Sequence, residues 1–174
     1  MQVSYDISKV KVFDPSNISE HLKIYSSHKE KYNNGTGDIP FEKAGMFLHE
    51  LFFKNIREYR VDNKPLGKVA DILETRYGSW KNFYSTYIDT VNKLQGSGWV
   101  FMNTSGYLNI IPNNRIVDNI AFVIDFWEHS YYFNYGSDRE AYAREVLNII
   151  NWDEVNQRIL ASKDKKQSKW SITE

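Results

Sequence analysis

Asp125 and His129 stand four residues apart in FVIDFWEHSYY, residues 122–132, beside Trp127 and a run of aromatics. A carboxylate and an imidazole at that spacing can together ligate a transition metal. The same pair also fits a structural use, in which the Asp caps the next turn and the His is a core ring with satisfied nitrogens. Asp125 ends the apolar run VID, where an ionised carboxylate is costly unless a cation or metal meets it. The chain has four His, at 21, 28, 49 and 129, and no Cys. Disulfides, thiolate metal sites and thiol nucleophiles are therefore excluded together, and any metal must rest on His and carboxylate.

The elements that would bring such groups together can be read from the pattern. DPSNISEHLKIYSSHKEKYNN reads as a helix with Ser16, Asn17 or Ser19 as its cap. NNGTGDIP breaks it, and Pro40 suits the first turn of the next helix, FEKAGMFLHELFFKNIREY. Met46, Phe47, His49, Leu51, Phe53 and Ile56 are available there to one broad buried stripe, so His49 is expected on a buried face. KVADILETRYGSWKNFYSTYIDTVNKLQG gives two more helices, divided at Tyr77-Gly78-Ser79. GWVFMN and YLNIIP read as strands joined by a turn at Thr104-Ser105-Gly106. IAFVIDFW is expected as a central third strand, which leaves His129 in the loop after it. Two helices, broken near Asn151-Trp152-Asp153, close the chain.

The order implies an α+β fold: an N-terminal antiparallel helical hairpin, then a C-terminal domain with a three-stranded antiparallel sheet flanked by helices. DNKPLGK, residues 62–68, joins a turn signal to a Pro and a Gly and marks the boundary. The expected units are residues 1–62, 63–161 and a polar tail at 162–174. With 174 residues, 41% hydrophobic and 16% aromatic, there is ample material for a core. The 22 basic residues balance the 22 acidic ones, so no general field favours nucleic acid or an anionic membrane. No apolar stretch approaches the ~20 residues of a membrane span, and MQVSYDISKVKV lacks the apolar run of a signal peptide. An intracellular, cytoplasmic location is expected.

Several stretches together resemble the iron/manganese superoxide dismutase family. IDFWEHSYYFNYGSDREAYAREVLNIINWDEVNQR is similar to its C-terminal signature, D-x-W-E-H-A-Y-Y followed by a helix and an N-W segment. KPLGKVADILETRYGSWKNF, QGSGWVFM and AGMFLHELFFKNI resemble other parts of it, and the likeness covers most of residues 18–160. The resemblance implies one Mn or Fe per subunit and the disproportionation of superoxide to dioxygen and peroxide. In the family one metal is held by a His from each of the first two helices and by the Asp and His of D-x-W-E-H, with solvent as fifth ligand. His49, Asp125 and His129 match three of these positions, and Trp99 and Trp127 are assigned to lining the cofactor site.

The fourth ligand is where the pattern departs. The family's first helix reads roughly H-x-x-x-H-H-x-x-Y-V-x-x-L-N. Matching Tyr32 of IYSSHKEKYNN to its Tyr puts His28 on the His beside the ligands and Ile24, which cannot bind a metal, on the ligand itself. Hairpin geometry likewise places positions 23 to 25 level with His49. His21 or Tyr25 reaches the site only if that register slips, and His21 is expected on the surface. After the second strand, Asn114 stands in for the Gln that orients metal-bound solvent in the manganese enzymes. Gly45 is the manganese-type residue where the iron enzymes place a Gln. Glu128 and Tyr132 match residues that cross the family's two-fold interface, which implies a homodimer. Two functions of different class follow: a short dismutase with three protein ligands plus water or a displaced fourth, or a non-catalytic member serving as an assembly protein or weak metal binder.

Overall fold

The computed structural model describes residues 12–170. Helix α1 (Pro15–Asn34) is capped by Asp14, whose side chain accepts from the Ser16 backbone N–H, with Pro15 in the first turn. The cap is thus Asp14 and not Ser16, Asn17 or Ser19, because an Asp-Pro pair supplies both a cap acceptor and a preset helical φ. Gly35, in the left-handed region, ends α1, and Asp38 caps α2 (Ile39–Asn55) with Pro40 in its first turn. The fully buried face of α2 runs through Leu48, His49, Phe52 and Phe53, with Met46, Phe47 and Leu51 half-buried beside it. Helices α3 (Lys68–Tyr77) and α4 (Trp80–Lys93) divide at Gly78 and Ser79 as expected, the Ser79 side chain accepting from the Asn82 N–H.

The sheet comprises β1 (Gly98–Asn103), β2 (Leu108–Pro112) and β3 (Ile120–Asp125), antiparallel in the order β2-β1-β3. Asn103 shapes the β1–β2 turn by accepting from the N–H groups of Ser105 and Tyr107. β3 is therefore an edge strand and β1 the central one. All six residues of β3 are nonetheless buried, since α2 and α7 (Trp152–Trp170) cover it. Its continuous apolar run reflects that helical cover and not a central place in the sheet. Side chains occupy the open edge: Asn55 Nδ2 donates to the Val123 carbonyl at 2.8 Å, and Arg158 Nη1 to that of Ala121 at 3.3 Å.

After β3 the chain turns into α5 (Glu128–Tyr135), α6 (Arg139–Val146) and a 3-10 turn at Leu147–Ile149 before α7. His129 accordingly sits in the first turn of a helix and not in a loop. α7 continues through residues 162–170, so helix enters the stretch expected as a tail; residues 171–174 and 1–11 lie outside the described residues. The segment between α2 and α3 is pinned, Asn63 Nδ2 donating to the carbonyls of Leu147 and Ile150 and the Trp152 indole donating to Asn63. Among the described residues no helix is long and apolar enough to cross a membrane.

Candidate metal centre

Four elements converge on one carboxylate. Asp125 closes β3, and its Oδ1 accepts from the Trp127 N–H at 2.8 Å, a local turn that launches α5. One turn into that helix His129 places Nε2 3.1 Å from Asp125 Oδ2. His49, from the middle of α2, has Nε2 3.5 Å from the same oxygen. His21, from α1, has Nε2 3.0 Å from it. One ligand atom from each of the four residues lies within 4.8 Å of every other, and His21, His49 and Asp125 are buried.

His21 corrects the expectation for the first helix: it is 2% exposed and belongs to the cluster, whereas half-buried Ile24 does not. The His49 ring stands 5.0 Å from that of His21 and 5.4 Å from that of His28. Positions seven apart share a helix face about 10.5 Å apart, so side chains one turn either side of the His49 level lean onto it. Asn17, one turn before His21 and fully buried, fixes the arrangement by donating from Nδ2 to the His129 carbonyl at 2.9 Å. The signal available in the sequence was His21 and His28 seven residues apart on one helix.

The His49 lone pair favours a cation beside Asp125. Burial depresses the His49 pKa to about 3, against a smaller opposing pull from Asp125, so the ring is neutral. Its Nδ1 donates to the Gly45 carbonyl at 2.7 Å, leaving Nε2 as a bare lone pair, buried and without a hydrogen-bond partner. That lone pair faces a carboxylate oxygen at 3.5 Å, an acceptor opposed to an acceptor, which only a positive charge between them makes favourable. Burial also lowers the His21 pKa despite its bond to Asp125. Burial opposes charge on Asp125 and His129 too, but their mutual attraction and hydrogen bond prevail, holding Asp125 below and His129 above their usual ranges. Three imidazole Nε2 atoms and one carboxylate oxygen form a donor set suited to Mn or Fe. The hydrogen bonds from Trp127 and to Gly45 aim two of the four ligands, as outer partners do in metal sites.

The other residues singled out in the sequence lie at different distances from this cluster. Trp99 stands edge-on to His49 at 4.9 Å, and its indole N–H donates to Asn114 Oδ1 at 3.0 Å, so Asn114 is one residue removed from the cluster. Trp127 stacks near His129 at 6.1 Å. His28 donates from Nδ1 to Glu42 Oε2 at 2.6 Å. Tyr32 is half-buried with the Lys43 ammonium 6.0 Å from its ring centre. Tyr25 packs edge-on to Phe53. Glu128 is exposed and accepts from Ser97 Oγ at 2.8 Å, and Tyr132 is 60% exposed. Glu42 was not anticipated, because a Glu in a first helical turn serves the helix dipole without any partner.

A family model described as iron/manganese superoxide dismutases, C-terminal domain, matches residues 65–158. Among similar proteins, the mitochondrial manganese superoxide dismutase of Aspergillus fumigatus is 33% identical over 135 residues, covering 71% of this chain and 63% of that protein. The iron superoxide dismutase of Sulfolobus acidocaldarius is 28% identical over 188 residues, covering 87% and 89%. The Mn/Fe superoxide dismutase of Aeropyrum pernix is 30% identical over 132 residues, covering 70% and 62%. The chain thus spans less than two thirds of the length of two of these three relatives.

Proposed function

The chain belongs to the iron/manganese superoxide dismutase family, and on that premise we propose that it disproportionates superoxide at one Mn or Fe ion held by His21, His49, Asp125 and His129. The observation that carries this is the bare, buried Nε2 of His49 facing Asp125 Oδ2 at 3.5 Å, with two further Nε2 atoms beside the same oxygen. The presence of His21 from the first helix in the same cluster supports this reading over the non-catalytic alternative.

When bound, the ion supplies a one-electron couple that superoxide can both reduce and reoxidise, giving dioxygen in one half and, with protons, peroxide in the other. The chain's part is to hold and shield it. Asp125 offers Oδ2 because Oδ1 is engaged by Trp127, and His49 offers Nε2 because Nδ1 is engaged by Gly45. Asn17 anchors the backbone of His129. Trp99, Phe53 and Trp127 surround the imidazoles with apolar rings that keep bulk water out. The His129 side chain, 19% exposed, marks the side from which a small anion enters. His28, whose ring stands 5.4 Å from that of His49, handles protons on the approach, and Asn114 acts through the Trp99 indole that it holds. Glu128 and Tyr132, both exposed, form part of a homodimer interface.

Metal analysis of the purified protein with a dismutation assay tests this proposal. The expected result is close to one Mn or Fe per chain and activity abolished in His49→Ala. Protein that stays metal-free after reconstitution with both ions contradicts it.

A further inference from the structure

We propose that the cleft between α3 and the β1–β2 turn is a binding site for a phosphate monoester, gripped by the Arg76 guanidinium with Lys68 and the Ser105 hydroxyl beside it. The cleft encloses about 410 Å³ and is lined by Lys68, Asp71, Ile72, Thr75, Arg76 and Ser105. It shares no residue with the metal cluster and lies at the other end of the sheet: Trp99 pairs with Asp125, whereas Asn103, where the turn begins, pairs with Ile120. The inference is therefore independent of the dismutase reading. Arg76 is exposed, yet it is held from two sides. Its Nε donates to the Ser105 carbonyl at 2.9 Å, and its guanidinium carbon lies 3.3 Å from the centre of the Tyr107 ring. Neither outer nitrogen, Nη1 nor Nη2, has a hydrogen-bond partner among the described residues.

The turn that presents Ser105 is fixed as firmly as the guanidinium. The Ser105 and Tyr107 N–H groups donate to Asn103 Oδ1, the Gly106 N–H to the Asn103 carbonyl, and the Tyr77 hydroxyl to the Gly106 carbonyl. Gly106, at φ 87°, permits the close approach to α3, since a Cβ there would lie 2.5 Å from Ile72 Cγ2 and 3.3 Å from Arg76 Nε. The Ser105 hydroxyl has no hydrogen-bond partner among the described residues. The lining cations outnumber the carboxylates two to one, and the one carboxylate, Asp71, lies 3.4 Å from the Lys68 ammonium. A planar Nη1–Nη2 edge can donate two parallel hydrogen bonds to one oxyanion. The ammonium and the hydroxyl beside it suit the further oxygen that a phosphate has and a carboxylate lacks, and Ile72 offers an apolar surface to the body of the ester. Packing the turn on α3 alone would be served by Gly106 and Tyr77, and would leave an exposed Arg the rotamer freedom whose loss is costly.

Inorganic phosphate is the probe. It is titrated into the purified protein at constant ionic strength while the 15N resonances of Arg76 Nε and the Ser105 amide are followed, with chloride as the control. The wild type is expected to show saturable shifts at both positions with millimolar affinity, since charges at an exposed site are screened by salt. Arg76→Ala, followed at Ser105, should weaken binding by at least about 10-fold. Arg76→Lys, which keeps the charge and loses the fork, should recover little of that loss. Ser105→Ala, which keeps the carbonyl that holds Arg76, and Lys68→Met, which spares the turn, should each weaken binding several-fold without disturbing the fold. Acetate should bind more weakly than phosphate. Shifts that chloride reproduces, affinity unchanged in Arg76→Ala or in both Ser105→Ala and Lys68→Met, full affinity in Arg76→Lys, or acetate binding as tightly as phosphate overturns the proposal.

Discussion

The two halves of the cluster are built in different ways. Asp125 and His129 come from one continuous stretch, and the turn between them is set locally by the Asp125–Trp127 hydrogen bond. His21 and His49 come from separate helices and meet only because α1 and α2 pack as an antiparallel pair against β3 and α5. The local half needs little beyond its own sequence. The assembled half depends on distant ties: Asn17 to the His129 carbonyl, and Asn55 and Arg158 to the edge of β3. Damage to the first half should therefore appear as lost ligation in a folded protein, and damage to the second as a mixture of lost stability and loosened ligation.

The largest effect is expected for Asp125→Ala, which removes the oxygen shared by all three imidazoles. Metal affinity in a chelator competition should fall by well over ~100-fold. Asn55→Ala comes next and acts on the assembled half. It frees the Val123 carbonyl and a partner of Arg158 in a buried setting, so stability should fall by about 1–3 kcal/mol in denaturant unfolding of the apoprotein. Asn17→Ala removes the tie between the halves and should cost about 1 kcal/mol and weaken metal binding roughly 10-fold. Equal metal affinity in Asn17→Ala and wild type would mean that the two halves are independent. The smallest effect belongs to Ile24→Ala, which should leave metal affinity within about 2-fold and change stability by about 1 kcal/mol.

The same division decides what could be read from the sequence. The Asp125–His129 pair, its Trp127 and the buried stripe carrying His49 follow from spacing and apolar pattern, and the α+β order follows from the turn signals. The register of α1 does not. A helix repeats its faces every turn, so a shift between Ile24 and His21 leaves the pattern nearly unchanged, and contacts with other elements, such as that of Asn17 with α5, select one. The edge position of β3 was hidden for a related reason: a strand covered by helices is as apolar as a central one. Glu42 was invisible because its partner, His28, lies on the other helix. In each case the missing information is an interaction between elements and not a property of either.

X-ray absorption at the metal edge tests the central claim most directly. The account predicts three imidazoles and one carboxylate around Mn or Fe in the wild type, and two imidazoles in His21→Ala with Ile24→Ala unchanged. A wild-type spectrum with two imidazoles that His21→Ala leaves unaltered would contradict it.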